Sequence, residues 1–132
     1  WDYAALGLTL RRHPLALLRP RLALRQVHTA ASLHQVPNGH WVRHCGIVTL
    51  RQQPGTAKGT VFVSLEDETG VVQVLCWPRI RDTQRAALVQ SRLLLVDGLW
   101  QRAGHAKNLI ARRLTDLSPW LAGLWTQSRD FH

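Results

Sequence analysis

The chain has 132 residues, room for one compact domain and some additional helix. Seventeen Lys and Arg against eight Asp and Glu give a formal net charge of +9, which points to a polyanionic partner, most often nucleic acid and less often an anionic membrane. No uninterrupted apolar run reaches the roughly 18 residues of a helical membrane span, so that class is excluded.

Trp1–Leu10 carries Tyr3, Leu6, Leu8 and Leu10, but Gly7 breaks any single period and no element is assigned. Asp2 and Tyr3 stand where a secretory leader would be basic, and a chain opening on Trp1 reads as a segment of a longer one. His13-Pro14 opens a helix, because proline suits the first helical position. Leu15, Leu17, Leu18 and Leu22 supply its apolar face, and Pro20 is expected to kink or split it. Arg11, Arg12, Arg19, Arg21 and Arg25 make this arm basic, either as a solvated helix face or as a contact for a nucleic-acid backbone. Thr29 caps a short second helix through Leu33. Pro37-Asn38-Gly39 is a turn signal. The organisation expected is a helical arm or linker over 1–39, a barrel over 40–118 and a tail over 119–132.

Five strands follow. They are Val42–Leu50, Thr60–Glu66, Val71–Trp77, Leu93–Trp100 and Lys107–Leu114, with a helix at Arg79–Gln90 after the third. Val61, Val63 and Leu65 alternate with Phe62, Ser64 and Glu66. Val72, Val74 and Cys76 alternate with Val71, Gln73, Leu75 and Trp77. Such period-two patterning marks a half-buried sheet. Gly98 suits a bulge or barrel corner. The order β-β-β-α-β-β within about 75 residues is that of a five-stranded OB barrel, which takes nucleic acid on its strand 2–3 face and its 1–2 and 4–5 loops. Both loops are basic and free of acid: Arg51-Gln-Gln-Pro-Gly-Thr-Ala-Lys58-Gly59 and Gln101-Arg102-Ala-Gly-His105-Ala-Lys107. The fold class expected is therefore mainly β, with a helical N-terminal arm and a short C-terminal helix built on Leu121, Leu124 and Trp125.

Catalytic patterns are absent. His40 and His44 are four apart, but at a strand start and with no Glu between them, unlike the helical zinc-protease motif. Ser64, Ser91 and Ser118 lack the nucleophile-elbow context. Gly55 to Thr60 lacks phosphate-loop spacing and leads into a strand. Glu66, Asp67 and Glu68 form an acid run that is expected to face water in a turn rather than to hold a metal. Cys45 and Cys76, 31 residues apart and both in strands, read as buried free thiols of a cytosolic protein. What remains is a binding surface. Phe62, Trp77 and Trp100 are candidates for base stacking, set against the reading of each as barrel core. Arg43, Arg51, Lys58, Arg102 and Lys107 are candidates for phosphate contact, with Gln73 and His105 beside them.

The run from Gly46 through Arg51-Gln-Gln-Pro-Gly-Thr-Ala-Lys58-Gly59 to Leu65-Glu-Asp-Glu-Thr-Gly70 closely resembles the OB segment of bacterial C-family DNA polymerase alpha subunits. It is most similar to their error-prone, DnaE-like branch. Asp2-Tyr-Ala-Ala-Leu-Gly-Leu-Thr-Leu-Arg-Arg-His-Pro14 is similar to the segment leading into that OB domain, and Ser128-Arg-Asp-Phe-His132 resembles the branch's C-terminus. Gln53 stands where the branch often has Arg, and Gln73 where it often has Asn. The resemblance implies an OB module that binds single-stranded template DNA non-specifically, in a cytoplasmic polymerase of damage-induced mutagenesis. It also implies that the Mg2+-binding aspartates lie in a separate palm domain, so that this segment needs no cofactor and does not polymerise by itself. Accessory mutagenesis proteins and a sliding clamp are the implied partners, with Trp125, Arg129, Asp130 and Phe131 as the docking candidates. Two other readings stay open. One is an RNA-binding OB domain, as in the anticodon-binding part of some aminoacyl-tRNA synthetases. The other is a protein-docking barrel.

Overall fold

The predicted strands form, and their sheet closes on itself. The computed structural model describes residues 12–55 and 58–130, with the backbone alone for 125–130. The strands are β1 (Trp41–Gln52), β2 (Val61–Asp67), β3 (Gly70–Cys76), β4 (Leu93–Ala103) and β5 (Ala106–Asp116). They form a closed barrel in the order β1-β2-β3-β5-β4. All neighbours are antiparallel except β3 and β5, which pair in parallel through Val74–Leu109 and Leu75–Ile110. The strands run further than their apolar patterns. Arg51 and Gln52 keep pairing with Val63 and Phe62. Arg102 still faces Lys107 across the β4–β5 ladder, so the second basic loop is the tip of a long hairpin turned at Gly104 (φ 59°).

The barrel interior is filled by the predicted face: Val61, Val63, Leu65, Val72, Val74, Cys76, Leu94, Val96, Leu109, Ala111 and Leu114. Gly98 stands at the β4–β5 bulge as expected, because a Cβ there would lie 2.1 Å from the Ile110 carbonyl oxygen. The segment after β3 is two helices, α3 (Pro78–Thr83) and α4 (Arg85–Gln90). The single helix expected is broken at Gln84 (φ −126°, ψ 34°). There the side chain takes over β5 edge contacts, donating to the Arg112 carbonyl at 3.0 Å and accepting from Leu114 N–H at 2.6 Å.

The arm comprises α1 (Pro14–Ala23) and α2 (Ala30–Leu33). His13 Nδ1 accepts from Leu15 N–H at 3.1 Å and Thr29 Oγ1 from Ser32 N–H at 3.0 Å, each capping its helix. α1 is not split at Pro20 but runs through it. A proline inside a helix costs about 3 kcal/mol, but Leu15, Leu18 and Leu22 are at most 2% exposed. Burying three leucines at about 1.5–3 kcal/mol each outweighs that cost. They join Cys45, Ile47, Leu93 and Leu95 on the barrel's outer wall, together with Leu117, Leu121 and Leu124. The last two lie in α5 (Ser118–Asp130), the tail helix. The β1–β4 wall is thus apolar on both faces, covered outside by α1 and α5. Both cysteines are free and buried, and burial pushes their thiols up to about 12.

The acid run does not simply face water. Asp67 is 2% exposed. One carboxylate oxygen accepts from Thr69 N–H, Thr69 Oγ1 and Gly70 N–H, which builds the β2–β3 turn. The other accepts from Ala30 N–H at 2.7 Å, at the start of α2. Arg19 reaches Asp67 at 3.4 Å and grips both Glu68 oxygens at 2.9 and 2.5 Å. The turn is a clasp between arm and barrel. Among the described residues no three or more His, Cys, Asp or Glu are grouped to hold a metal. None of the helices described is long and apolar enough to cross a membrane.

Candidate nucleic-acid interface

Matched residues on neighbouring strands project to the same side of a sheet. With Val61, Val63 and Leu65 inside, Phe62 must point out, and the ladders carry that outer row around the barrel. Gln52 pairs with Phe62, Phe62 with Leu75, Leu75 with Ile110, Ile110 with Leu99, and Leu99 with Trp41. Phe62, Leu75 and Leu99 are half-buried, Ile110 is 4% exposed and Trp41 is 68% exposed. Trp77, half exposed, follows on the Leu75 side of β3 and leads into α3. The neighbouring row holds Ser64 and Gln73. The Gln73 side-chain oxygen accepts from Ser64 Oγ at 3.0 Å, which leaves the amide N–H groups for a ligand. Together these make an apolar, partly aromatic strip with a polar margin.

Cations lie in the two loops at the ends of these strands. Exposed Lys58 sits in the 1–2 loop with φ 51°, ahead of Gly59. Gly59 is held by a bond from Arg81 Nη1 to its carbonyl at 3.1 Å. Arg102 and His105 are exposed and Lys107 is half-buried on the β4–β5 hairpin. The hairpin base is fixed by Arg102 N–H donating to Asn38 Oδ1 at 2.7 Å. Glu66 is the acid on the outer face of β2, matched with Val71 near the turn. Burial first, and Asp67 second, raise its pKa.

Three expected contacts lie elsewhere. Trp100 is fully buried, donates Nε1–H to the Val36 carbonyl at 3.0 Å and meets His34 edge-on. It plugs the barrel, since residue 100 is matched with Leu109 on the inner face, and it is closed to a base. Arg51 bonds the Leu88 carbonyl at 2.7 Å and the Ser91 carbonyl, closing the C-terminal end of α4. Its burial there lowers its pKa. Arg43 lies on the outer β1–β4 wall, bonded to Asp97 at 2.6 Å and to the Arg25 carbonyl at 2.9 Å. Phe62, Gln73 and Trp77 do share the outer face, and Lys58, Arg102, His105 and Lys107 belong to the two basic loops. The side chains of Trp125, Arg129 and Asp130, and all of Phe131, lie outside the described residues. Trp41 and the Leu75–Ile110–Leu99 stretch escaped sequence reading. Parity carried outward from Arg43 would have found Trp41, but the apolar row depends on pairings between distant strands.

Comparison with known proteins bears on this surface. Residues 42–117 match the family model described as OB-fold nucleic acid binding domain. Proteins named error-prone DNA polymerase align over 131 residues. The one from Ralstonia nicotianae is 54% identical and the one from Burkholderia mallei 52%, each covering 99% of this chain and 12% of the relative. Their names agree with the resemblance read from the loop and turn motifs. The chain thus spans about an eighth of the length of those relatives. Among solved structures, asparaginyl-tRNA synthetase from Pyrococcus horikoshii superposes with TM-score 0.57 at 20% identity, over 69% of this chain and 22% of that one. An OBody bound to hen egg-white lysozyme gives TM-score 0.57 at 17% identity, over 70% and 93%. At such identities these two likenesses concern the fold alone.

Proposed function

The chain belongs to the family of OB-fold nucleic acid binding domains, and from that premise we propose that it binds single-stranded DNA without sequence preference, as a module of an error-prone DNA polymerase. The observation that carries this reading is the outer row running through Phe62 and Leu75, with Trp77 beside it and acid-free basic loops at the ends of the strands. Aromatic rings accept any base by its flat face, at about 1–3 kcal/mol per base, and so give affinity without sequence readout. Phe62 and Trp77 stack bases. Gln73 hydrogen-bonds base edges or sugar, and Lys58, Arg102 and Lys107 meet phosphates. The identity to error-prone polymerases supports DNA rather than RNA as the partner. Accessory mutagenesis proteins and a sliding clamp are proposed partners of the α5 end.

Titration of this chain with oligothymidylate, duplex DNA of equal length and an RNA hairpin tests the reading. The single strand should bind most tightly, and Phe62→Ala should weaken it by about 1–3 kcal/mol with little change in melting temperature. A tenfold preference for the RNA hairpin would transfer the site to RNA. No binding to any of the three at low salt would make the barrel a protein-docking module.

A further inference from the structure

Resting on the single-strand reading, we infer that Trp41 is a second stacking platform, where a longer strand leaves the barrel face and passes into the cleft between β1 and the arm. Trp41 is 68% exposed on a small barrel whose other large aromatic of that strand pair, Trp100, is sealed inside. Its position is the end of the same outer row that begins at Phe62, three matched pairs beyond Leu75 across β5 and β4. The ring therefore shares the outer face of the strip, beyond the buried Ile110 and the half-buried Leu99.

The charges around it suit a polyanion. The Arg112 guanidinium lies 5.7 Å from the Trp41 ring centroid. It stands at the β5 bulge, two residues past Ile110, just as Trp77 stands two past Leu75. On the far side of Trp41 opens a cleft of about 350 Å³ whose lining includes Arg25, Gln26, His28 and Arg43. That size falls at the lower end of the ~300–1,000 Å³ typical of ligand sites. Asp97 also faces the cleft, and the Arg43 ion pair at 2.6 Å offsets its charge. A base on Trp41 would have Arg112 on one side and the backbone of the following nucleotides beside Arg25, while Arg43 stays paired with Asp97. Stacked bases flanked by guanidinium groups are the general means of holding a single strand.

Strand length separates this inference from the reading it rests on. Affinities are measured for labelled oligothymidylates of about 5 and about 15 nucleotides, the range of OB-fold site sizes. Trp41→Ala should weaken the longer strand by about tenfold or more and leave the shorter one unchanged, while Trp41→Phe keeps most of the affinity. Arg112→Gln should weaken the longer strand selectively as well. Phe62→Ala should weaken both lengths. Loss with Phe62→Ala but none with Trp41→Ala at either length would overturn the exit path. No loss with Phe62→Ala would overturn the stacking face itself.

Discussion

His44 has no exposed surface and lies where the residue preceding α2's cap crosses β1. Its Nδ1–H donates to the His28 carbonyl at 2.9 Å, while Nε2 has no partner among the described residues. Burial pushes its pKa below the ordinary 6.5, and His13 under the arm is shifted the same way by the same cause. The folded chain therefore keeps these rings neutral at a pH where the unfolded chain would protonate them. Stability is full above the unfolded value near 6.5 and falls as pH drops below it. Each ring contributes at most about 1.4 kcal/mol per pH unit across that window. Urea denaturation between about pH 7.5 and 5.5 should show the loss, and His44→Gln should flatten the slope. A slope indifferent to that substitution would assign the titration to another group.

At the scale of elements, the arm is joined to the barrel by the Asp67 clasp as well as by leucines. Asp67→Ala would strand the Ala30, Thr69 and Gly70 N–H groups and leave Arg19 to Glu68 alone. Removing one buried charged partner costs about 3–5 kcal/mol, and denaturant unfolding should show a loss of that order. A loss below about 1 kcal/mol would mean that water replaces the carboxylate, as at an exposed pair. The clasp also shows why the acid run was misread. Three adjacent carboxylates in a turn look solvated until a helix 37 residues earlier presents an N–H to one of them. Gln84 is a parallel case. Nothing local ends a helix there, and its amide is drawn away by the bulged edge of β5.

For the whole molecule, the count of seventeen basic residues overstates the cations free to turn toward a ligand. Arg19, Arg43 and Arg81 are in ion pairs, Arg51 closes α4, and Arg21 and Arg25 lie over the Trp120 ring at 3.8 and 5.0 Å. Lys58, Arg102 and Lys107 sit in the two basic loops without an ion pair among the described residues. Three phosphate contacts at about 0.7 each predict a slope of roughly −2 for log affinity against log salt. Anisotropy titrations over a salt series measure it. Binding with a slope near zero would remove the electrostatic part of the account, and a slope far steeper would bring the arm's arginines onto the strand.

The sequence alone determined the barrel and its inside. Period-two alternation in β2 and β3 obliges one face to leave water, so Val61, Val63 and Leu65 had to be core and Phe62 had to point out. Gly98 was legible because a barrel corner leaves no room for a Cβ. The acid-free loops and the polymerase-like Gly46–Gly70 run were equally plain. Tertiary structure decided which polar and aromatic groups are free. Trp100 and Trp41 bracket the same pair of strands, yet parity and closure send one inside and leave the other bare. Arg51 and Lys58 share one loop region, yet α4 claims the first. The physical reason is that burial and hydrogen bonding are set by partners distant in sequence, whereas alternation is a property of the strand itself.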